Sequence, residues 1–255
     1  MGTFKEAIAA ANGRADKSVR YRIFVKQGDY LVEGDDGATV TGYSGDKYPS
    51  PSTTITSPNI SIIGEGMDNT QLRNQCTNWA DIESLHRAEF IYLTNAVSNA
   101  YVQDITFRSG HKLGDGRCAA LEDYGTKNIF KNFRMWGTQD TYYSRNGRYY
   151  FETSALHGSV DYLCGGGDAV YNQCDLVIER DGSVLCAPAQ ALKYGYVFLD
   201  CTVKSANPSQ YKNYTLGRPW GSGTPGAIYI NTTMDVVASA AGWDEMSGGY
   251  PMRFA

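Results

Sequence analysis

Asp140, in Gly137-Thr138-Gln139-Asp140-Thr141-Tyr142-Tyr143, and Asp161, in Gly158-Ser159-Val160-Asp161-Tyr162-Leu163-Cys164, lie 21 residues apart in segments that align without a gap. Two carboxylates brought close together cannot easily both ionise, so one tends to keep its proton near neutral pH while the other stays charged. One site then offers an acid together with a base or nucleophile. The competing reading is an outward-facing ladder of Asp residues satisfied by turn amides. Three features weigh against it: Gln139 beside Asp140, the aromatic wall Tyr142, Tyr143 and Tyr162, and the segment Leu216-Gly217-Arg218-Pro219-Trp220.

The spacing of the aspartates belongs to a repeat. At the same offset Gly137 falls on Gly158, Phe130 on Phe151 and Tyr143 on Cys164. Blocks beginning at Asp104, Asn132, Thr153, Gln173 and Asp200 fall into register at successive offsets of 28, 21, 20 and 27 residues. Each reads polar, small or apolar, polar, apolar. Period-2 alternation in short runs rich in Val, Ile, Phe and Tyr, punctuated by Gly and Asn, predicts short strands and not helices. A repeat of this length predicts a solenoid, here an all-β parallel β-helix with one coil per repeat. A second ladder runs through Asp140-Thr141-Tyr142-Tyr143, Asp161-Tyr162-Leu163-Cys164 and Ser183-Val184-Leu185-Cys186, at offsets of 21 and then 22. Stacked strands lie about 4.8 Å apart, which would bring Asp140 and Asp161 together on one face.

The 255 residues, 42% hydrophobic and 20% charged, suffice for one sizeable core, and no domain boundary is visible, so residues 1–255 read as a single domain. The run Phe4-Lys5-Glu6-Ala7-Ile8-Ala9-Ala10-Ala11 is helix-like, is ended by Asn12-Gly13, and is expected to cap one end of the solenoid. Gly34 to Thr53 and Ser205 to Asn213 read as loops off the coil. Both ends of the chain look trimmed. A net charge of −4 with scattered basic residues gives no nucleic-acid footprint, and no apolar run is long enough for a membrane span. The six cysteines lack a Cys-x-x-Cys pair. The ladder stacks Cys174 with Cys201 and Cys164 with Cys186, as buried thiols or, in an exported protein, as disulfides. His157 is expected to face outward as a surface residue; His86 and His111 have no evident partners. Asn59-Ile60-Ser61, Asn213-Tyr214-Thr215 and Asn231-Thr232-Thr233 fit the short N-glycosylation pattern.

Gly137-Thr138-Gln139-Asp140-Thr141, Gly158-Ser159-Val160-Asp161-Tyr162-Leu163-Cys164-Gly165 and Leu216-Gly217-Arg218-Pro219-Trp220 resemble the three signature blocks of the pectin methylesterases (pectinesterases), in the same order. Similarity extends from Thr3-Phe4-Lys5-Glu6-Ala7-Ile8 through Ile23 to Tyr30 and Asn59 to Gly66 as far as Trp243. The resemblance implies a right-handed parallel β-helix that works on pectin, as a monomer, without metal or organic cofactor. It makes Asp161 the nucleophile on a galacturonate methyl ester and Asp140 the acid for the leaving methoxide, then the base for water. Arg218 would hold Asp161 ionised, Gln139 would donate to the developing oxyanion, and Trp220, Tyr162 and Trp243 would face sugar rings, core packing being the alternative for each aromatic. A secreted or periplasmic location follows from the polymeric substrate alone.

Two departures stand out. The family's Gln-Ala-Val-Ala-Leu is Arg117-Cys118-Ala119-Ala120-Leu121 here, so Arg117 replaces a second oxyanion glutamine. Arg117 would either favour ionised Asp140 and weaken it as an acid, or swing away to bind a substrate carboxylate. The family's Gly-x-Tyr-x-Glu becomes Gly28-Asp29-Tyr30-Leu31-Val32, with Glu33 one place late. A pectin lyase or glycoside hydrolase of the same fold is a rival reading, as is a carbohydrate-binding β-helix that has lost catalysis, for which Arg117 is the main support. A lyase would want clustered carboxylates for Ca²⁺ and a hydrolase more widely spaced ones.

Overall fold

A computed structural model describes residues 2–35, 37–74, 89–110, 117 and 119–255. His86, His111, Cys76 and Cys118 lie outside the described residues. The chain winds into coils whose strands stack in parallel, in one sheet of fourteen strands and one of seven. This is the parallel β-helix that the repeat predicts.

The registers reproduce the first sequence ladder. Phe133 pairs with Ile105, Arg134 with Ala155, Ala155 with Asp175, and Asp175 with Thr202. The residues opening the repeat blocks, Asp104, Asn132, Thr153, Gln173 and Asp200, together with Asn231 one coil further on, all have φ between 44° and 55°. A left-handed residue turns the chain sharply at the same point of every coil. Asn and Asp tolerate that conformation better than other non-glycine residues, which is why the blocks open on them so often.

Inside the coil, Phe130, Phe151, Tyr171, Phe198 and Tyr229 are in register and stack ring on ring. Their centroids are 4.5, 4.9, 4.7 and 4.3 Å apart and successive rings are inclined by less than 20°. This column fixes the rotation of each coil relative to the next, because a slip of one residue would turn an aromatic ring out to solvent. The helix Phe4–Gly13 begins at a capping box between Thr3 and Glu6. Its buried face is Ala7, Ile8 and Ala11, and Asn12 ties its end to the first coil through Thr54 O and the Thr56 amide, both at 2.9 Å. Gly34 to Thr53 is not merely a loop: Thr39–Thr41 and Lys47–Pro49 form a small antiparallel hairpin. Ser205 to Asn213 is a loop between strands, as expected. No helix among the described residues is long and apolar enough to cross a membrane.

The seven-stranded sheet carries the site. Its central strands are Leu121–Asp123, Tyr142–Ser144, Leu163–Gly165 and Ser183–Pro188. Leu121, Tyr142, Leu163 and Cys186 form one column, and all four lie in the core. The next column, Glu122, Tyr143, Cys164 and Ala187, points the other way, since side chains alternate along a strand. One register of the sequence reading is therefore corrected. Cys164 pairs with Ala187 and not with Cys186, because the turn before Ser183 holds one residue more than the 22-residue offset allows. The slip puts the two thiols on opposite faces. Cys174 and Cys201 do stack, and all four described cysteines are free thiols.

Candidate active site

Asp140 and Asp161 occupy the same point of consecutive coils, each two residues before a strand of the seven-stranded sheet. Both are left-handed, with φ of 55° and 51°. This conformation turns the carboxylates off the regular alternation and costs on the order of 1 kcal/mol per residue. The Asp140 amide donates to Val160 O at 3.0 Å and that of Tyr142 to Tyr162 O at 2.8 Å, so each coil templates the next. Gly158 permits the close turn before Asp161, where a Cβ would come within 2.2 Å of the Tyr162 Cβ.

Asp161 is 6% exposed. Arg218 closes on it with two parallel bonds, Nε to Oδ1 at 2.8 Å and Nη2 to Oδ2 at 2.7 Å. Bidentate pairing of this kind fixes the plane of the carboxylate. Arg218 reaches this position because Gly217 pairs with Cys186, so that Arg218 continues the outward column above Ala187 and Cys164.

Asp140 has a different setting. Burial pushes its carboxyl up to about 6 and the charge of Asp161 adds to the rise, while Arg117, a hydrogen bond with Cys164 and Arg218 pull it down. Arg117 Nε stands 3.0 Å from Asp140 Oδ2. The two carboxyl groups thus sit in unlike settings, Asp161 in a bidentate pair with Arg218 and Asp140 with its carboxyl raised to about 6 by burial. Gln139 bridges to Arg117 through its backbone, and its side-chain amide has no hydrogen-bond partner among the described residues.

The aromatics separate. Trp220 is 40% exposed and leans on Tyr143, with ring centroids 5.8 Å apart. Tyr143, Arg145, Asn146, Gly165, Gln190 and Trp220 line a recess of about 320 Å³, one wall of which, Tyr143, lies under Arg117. Trp243 is half-buried between Tyr229 and Phe254, packed on the core and bridged by its backbone to Gly217. Tyr162 corrects the sequence reading: it is fully buried, because alternation after the turn at Asp161 drives it inward, and it cannot face a sugar. Arg117, considered for a substrate carboxylate, is engaged with Asp140 and lies over the Tyr143 ring, 5.6 Å from its centroid. His157 is not a free surface residue. It stacks on Trp136 at 4.7 Å, and its Nδ1 lies 2.7 Å from Glu179 Oε1.

Sequence reasoning missed Cys164 as a partner of Asp140, and Glu122, which occupies the outward column one coil below Tyr143. The 21-residue offset from Tyr143 to Glu122 was the available signal.

A family model described as Pectinesterase matches residues 50–253. The chain is 26% identical over 237 residues to a putative pectinesterase/pectinesterase inhibitor 45 of Arabidopsis thaliana, across 88% of this chain and 35% of that protein. It spans between a third and a half of the length of the curated relatives it matches. Among solved structures, pectin methylesterase from carrot superposes with a TM-score of 0.78 at 20% identity, over 96% of this chain and 73% of that one. The Aspergillus niger pectin methylesterase gives 0.79 at 20% identity, over 99% and 80%. At such identities these likenesses speak for the fold.

Proposed function

The chain belongs to the pectinesterase family, and we propose on that footing that it hydrolyses the methyl esters of galacturonate units in pectin, releasing methanol and leaving free carboxylates. The observation that carries this reading is the asymmetric pair: Asp161 clamped by Arg218, one coil from an Asp140 poised near pH 6.

In the proposed reaction an Asp161 oxygen attacks the ester carbonyl carbon, and negative charge collects on the carbonyl oxygen, where the Gln139 amide donates. Collapse of the tetrahedral intermediate breaks the bond to the methoxy oxygen. Asp140 gives that oxygen its proton, methanol leaves, and an acyl anhydride joins the sugar carboxyl to Asp161. Asp140, now a carboxylate, takes a proton from water as the water attacks the acyl carbon. Asp161 is released as an anion back into the Arg218 clamp, and Asp140 is protonated again. Burial that holds Asp140 near the working pH suits both duties, since neither form is far from populated. Trp220 and Tyr143 would present ring faces to neighbouring sugars, with Trp243 at the edge of the same surface.

The same reading takes residues 1–255 as one β-helical domain acting as a monomer, secreted or periplasmic because its substrate is an extracellular polymer. The test is to follow methanol and uronide unsaturation together on highly methylated pectin. Methanol without unsaturated product is expected. Unsaturated product would identify a lyase, and a folded protein that releases no methanol would favour a pectin-binding role.

A further inference from the structure

Arg117, the guanidinium that the sequence offered to a substrate carboxylate, is engaged with Asp140. A second guanidinium meets the same tyrosine that Arg117 lies over. Arg145 directly follows the strand Tyr142–Ser144, and its backbone amide donates to Asp123 O at 2.9 Å, which fixes its place in the coil. Its Nη1 donates to the Tyr143 hydroxyl at 3.2 Å, and its Cζ lies 4.7 Å from the centroid of the Tyr124 ring. The other donors of its side chain have no acceptor among the described residues. Arg145 is exposed and forms no ion pair among those residues; the field of the buried Glu122 reaches it without one.

Arg145 lines the 320 Å³ recess together with Asn146, Gln190 and Trp220, and all four are exposed. The side-chain amides of Asn146 and Gln190 have no hydrogen-bond partner among the described residues. Gly165 and Gly166 complete the lining. A Cβ on Gly166 would stand 2.9 Å from Asn146 Oδ1 and 3.0 Å from Gln190 O, so a side chain there would close the space between the two. Tyr143, three residues after Asp140, joins the recess to the aspartate pair, since Arg117 lies over its ring and reaches Asp140. A hollow with an aromatic face, two free amides and a cation bound to no acid suits a sugar that carries a negative charge.

We propose that Arg145 is a specificity-determining residue that binds the free carboxylate of a galacturonate unit neighbouring the one being hydrolysed, so that partly demethylated pectin is favoured over the fully methylated polymer. The inference rests on the esterase reading above. A methyl ester offers a guanidinium only a neutral acceptor, whereas a carboxylate takes two parallel N–H bonds and brings the opposite charge. Asn146 and Gln190 meet sugar hydroxyls, and Trp220 meets a ring face. The chain's net charge of −4 repels a polyanion, and a cation held beside the site offsets that repulsion where the substrate enters.

The test uses the intact chain and unesterified tetragalacturonate, which has no ester to react, with binding read by titration calorimetry. Arg145→Gln is expected to weaken binding about tenfold or more and to flatten its salt dependence, and Arg145→Lys, which keeps the charge, to recover part of the loss. Fully methylated tetragalacturonate is measured in the Asp161→Ala background, where the esters persist. Its affinity should respond far less to Arg145→Gln, whereas Trp220→Ala should weaken both ligands. The ratio of kcat/KM on pectin partly de-esterified with alkali to that on fully methylated pectin should fall about tenfold in Arg145→Gln. Thermal melts check folding. A tetragalacturonate affinity that Arg145→Gln leaves in place, an equal loss for the two ligands, or an unchanged preference between the two pectins overturns the proposal. Arg145-dependent binding of tetragalacturonate in a chain that releases no methanol would sink the esterase reading and leave the carboxylate site standing.

Discussion

At the scale of single residues, the division of labour between the aspartates makes distinct predictions. In the proposed reaction Asp140 gives its proton to the leaving methoxide, so kcat/KM should fall about tenfold per pH unit above roughly pH 6, the value to which burial raises it. The same rise acts on stability. The folded state binds this proton more tightly than the unfolded chain does, so stability is lost as pH rises from about 4 to about 6, by up to about 3 kcal/mol. Denaturant melts at pH 4 and pH 7 should show that loss in the wild type and a smaller one in Asp140→Asn; an equal loss in both would refute the assignment. Gln139→Ala should reduce kcat by about 100- to 1000-fold with little change in KM, measured by methanol release. Arg218→Lys keeps the charge but loses the fork, and should cost about tenfold or more in kcat/KM. Asp140, Asp161 and Arg218 were legible in the sequence because their segments combine a repeat with distinctive chemistry. The burial of Tyr162 was not, because the side to which it points depends on the turn that its neighbour Asp161 makes. The sequence left two positions open for Arg117, beside Asp140 or turned toward substrate, and packing between coils selects the first.

At the scale of elements, the inner aromatic column and the ladder of left-handed turns set where each coil sits. Phe151 stacks between Phe130 and Tyr171 at the level of the active coils. Phe151→Ala should destabilise by about 3–5 kcal/mol and lower the melting temperature, with activity falling as the register of Asp161 loosens. The turn ladder makes the opposite prediction at its least suitable member. Thr153 is exposed and has φ 47°, a conformation that strains a β-branched side chain. Thr153→Asn should stabilise by about 0.5–1 kcal/mol in a denaturant melt, and a loss of stability would contradict the strain argument. The offsets of 28, 21, 20 and 27 residues could be read from the sequence because the turn residues and inward aromatics recur together. The offset at Ser183 was misread by one, since Cys164 and Cys186 offered a tempting match and the Asp181-Gly182 turn shows where the coil bends but not how many residues it takes up.

At the scale of the molecule, each coil does little alone. Stacking aligns the outward column that runs from Glu122 through Tyr143 and Cys164 to Arg218, and the site exists only where consecutive coils keep register. Asp161 and Arg218 are 57 residues apart in the chain yet meet at 2.7 Å. The most direct test of the account is the rate of methanol release from highly methylated pectin by Asp161→Ala beside the wild type, with both shown to be folded. The account predicts a loss of at least about a thousandfold, because without the nucleophile no acyl-enzyme forms. Ester cleavage by Asp161→Ala at close to the wild-type rate would contradict it.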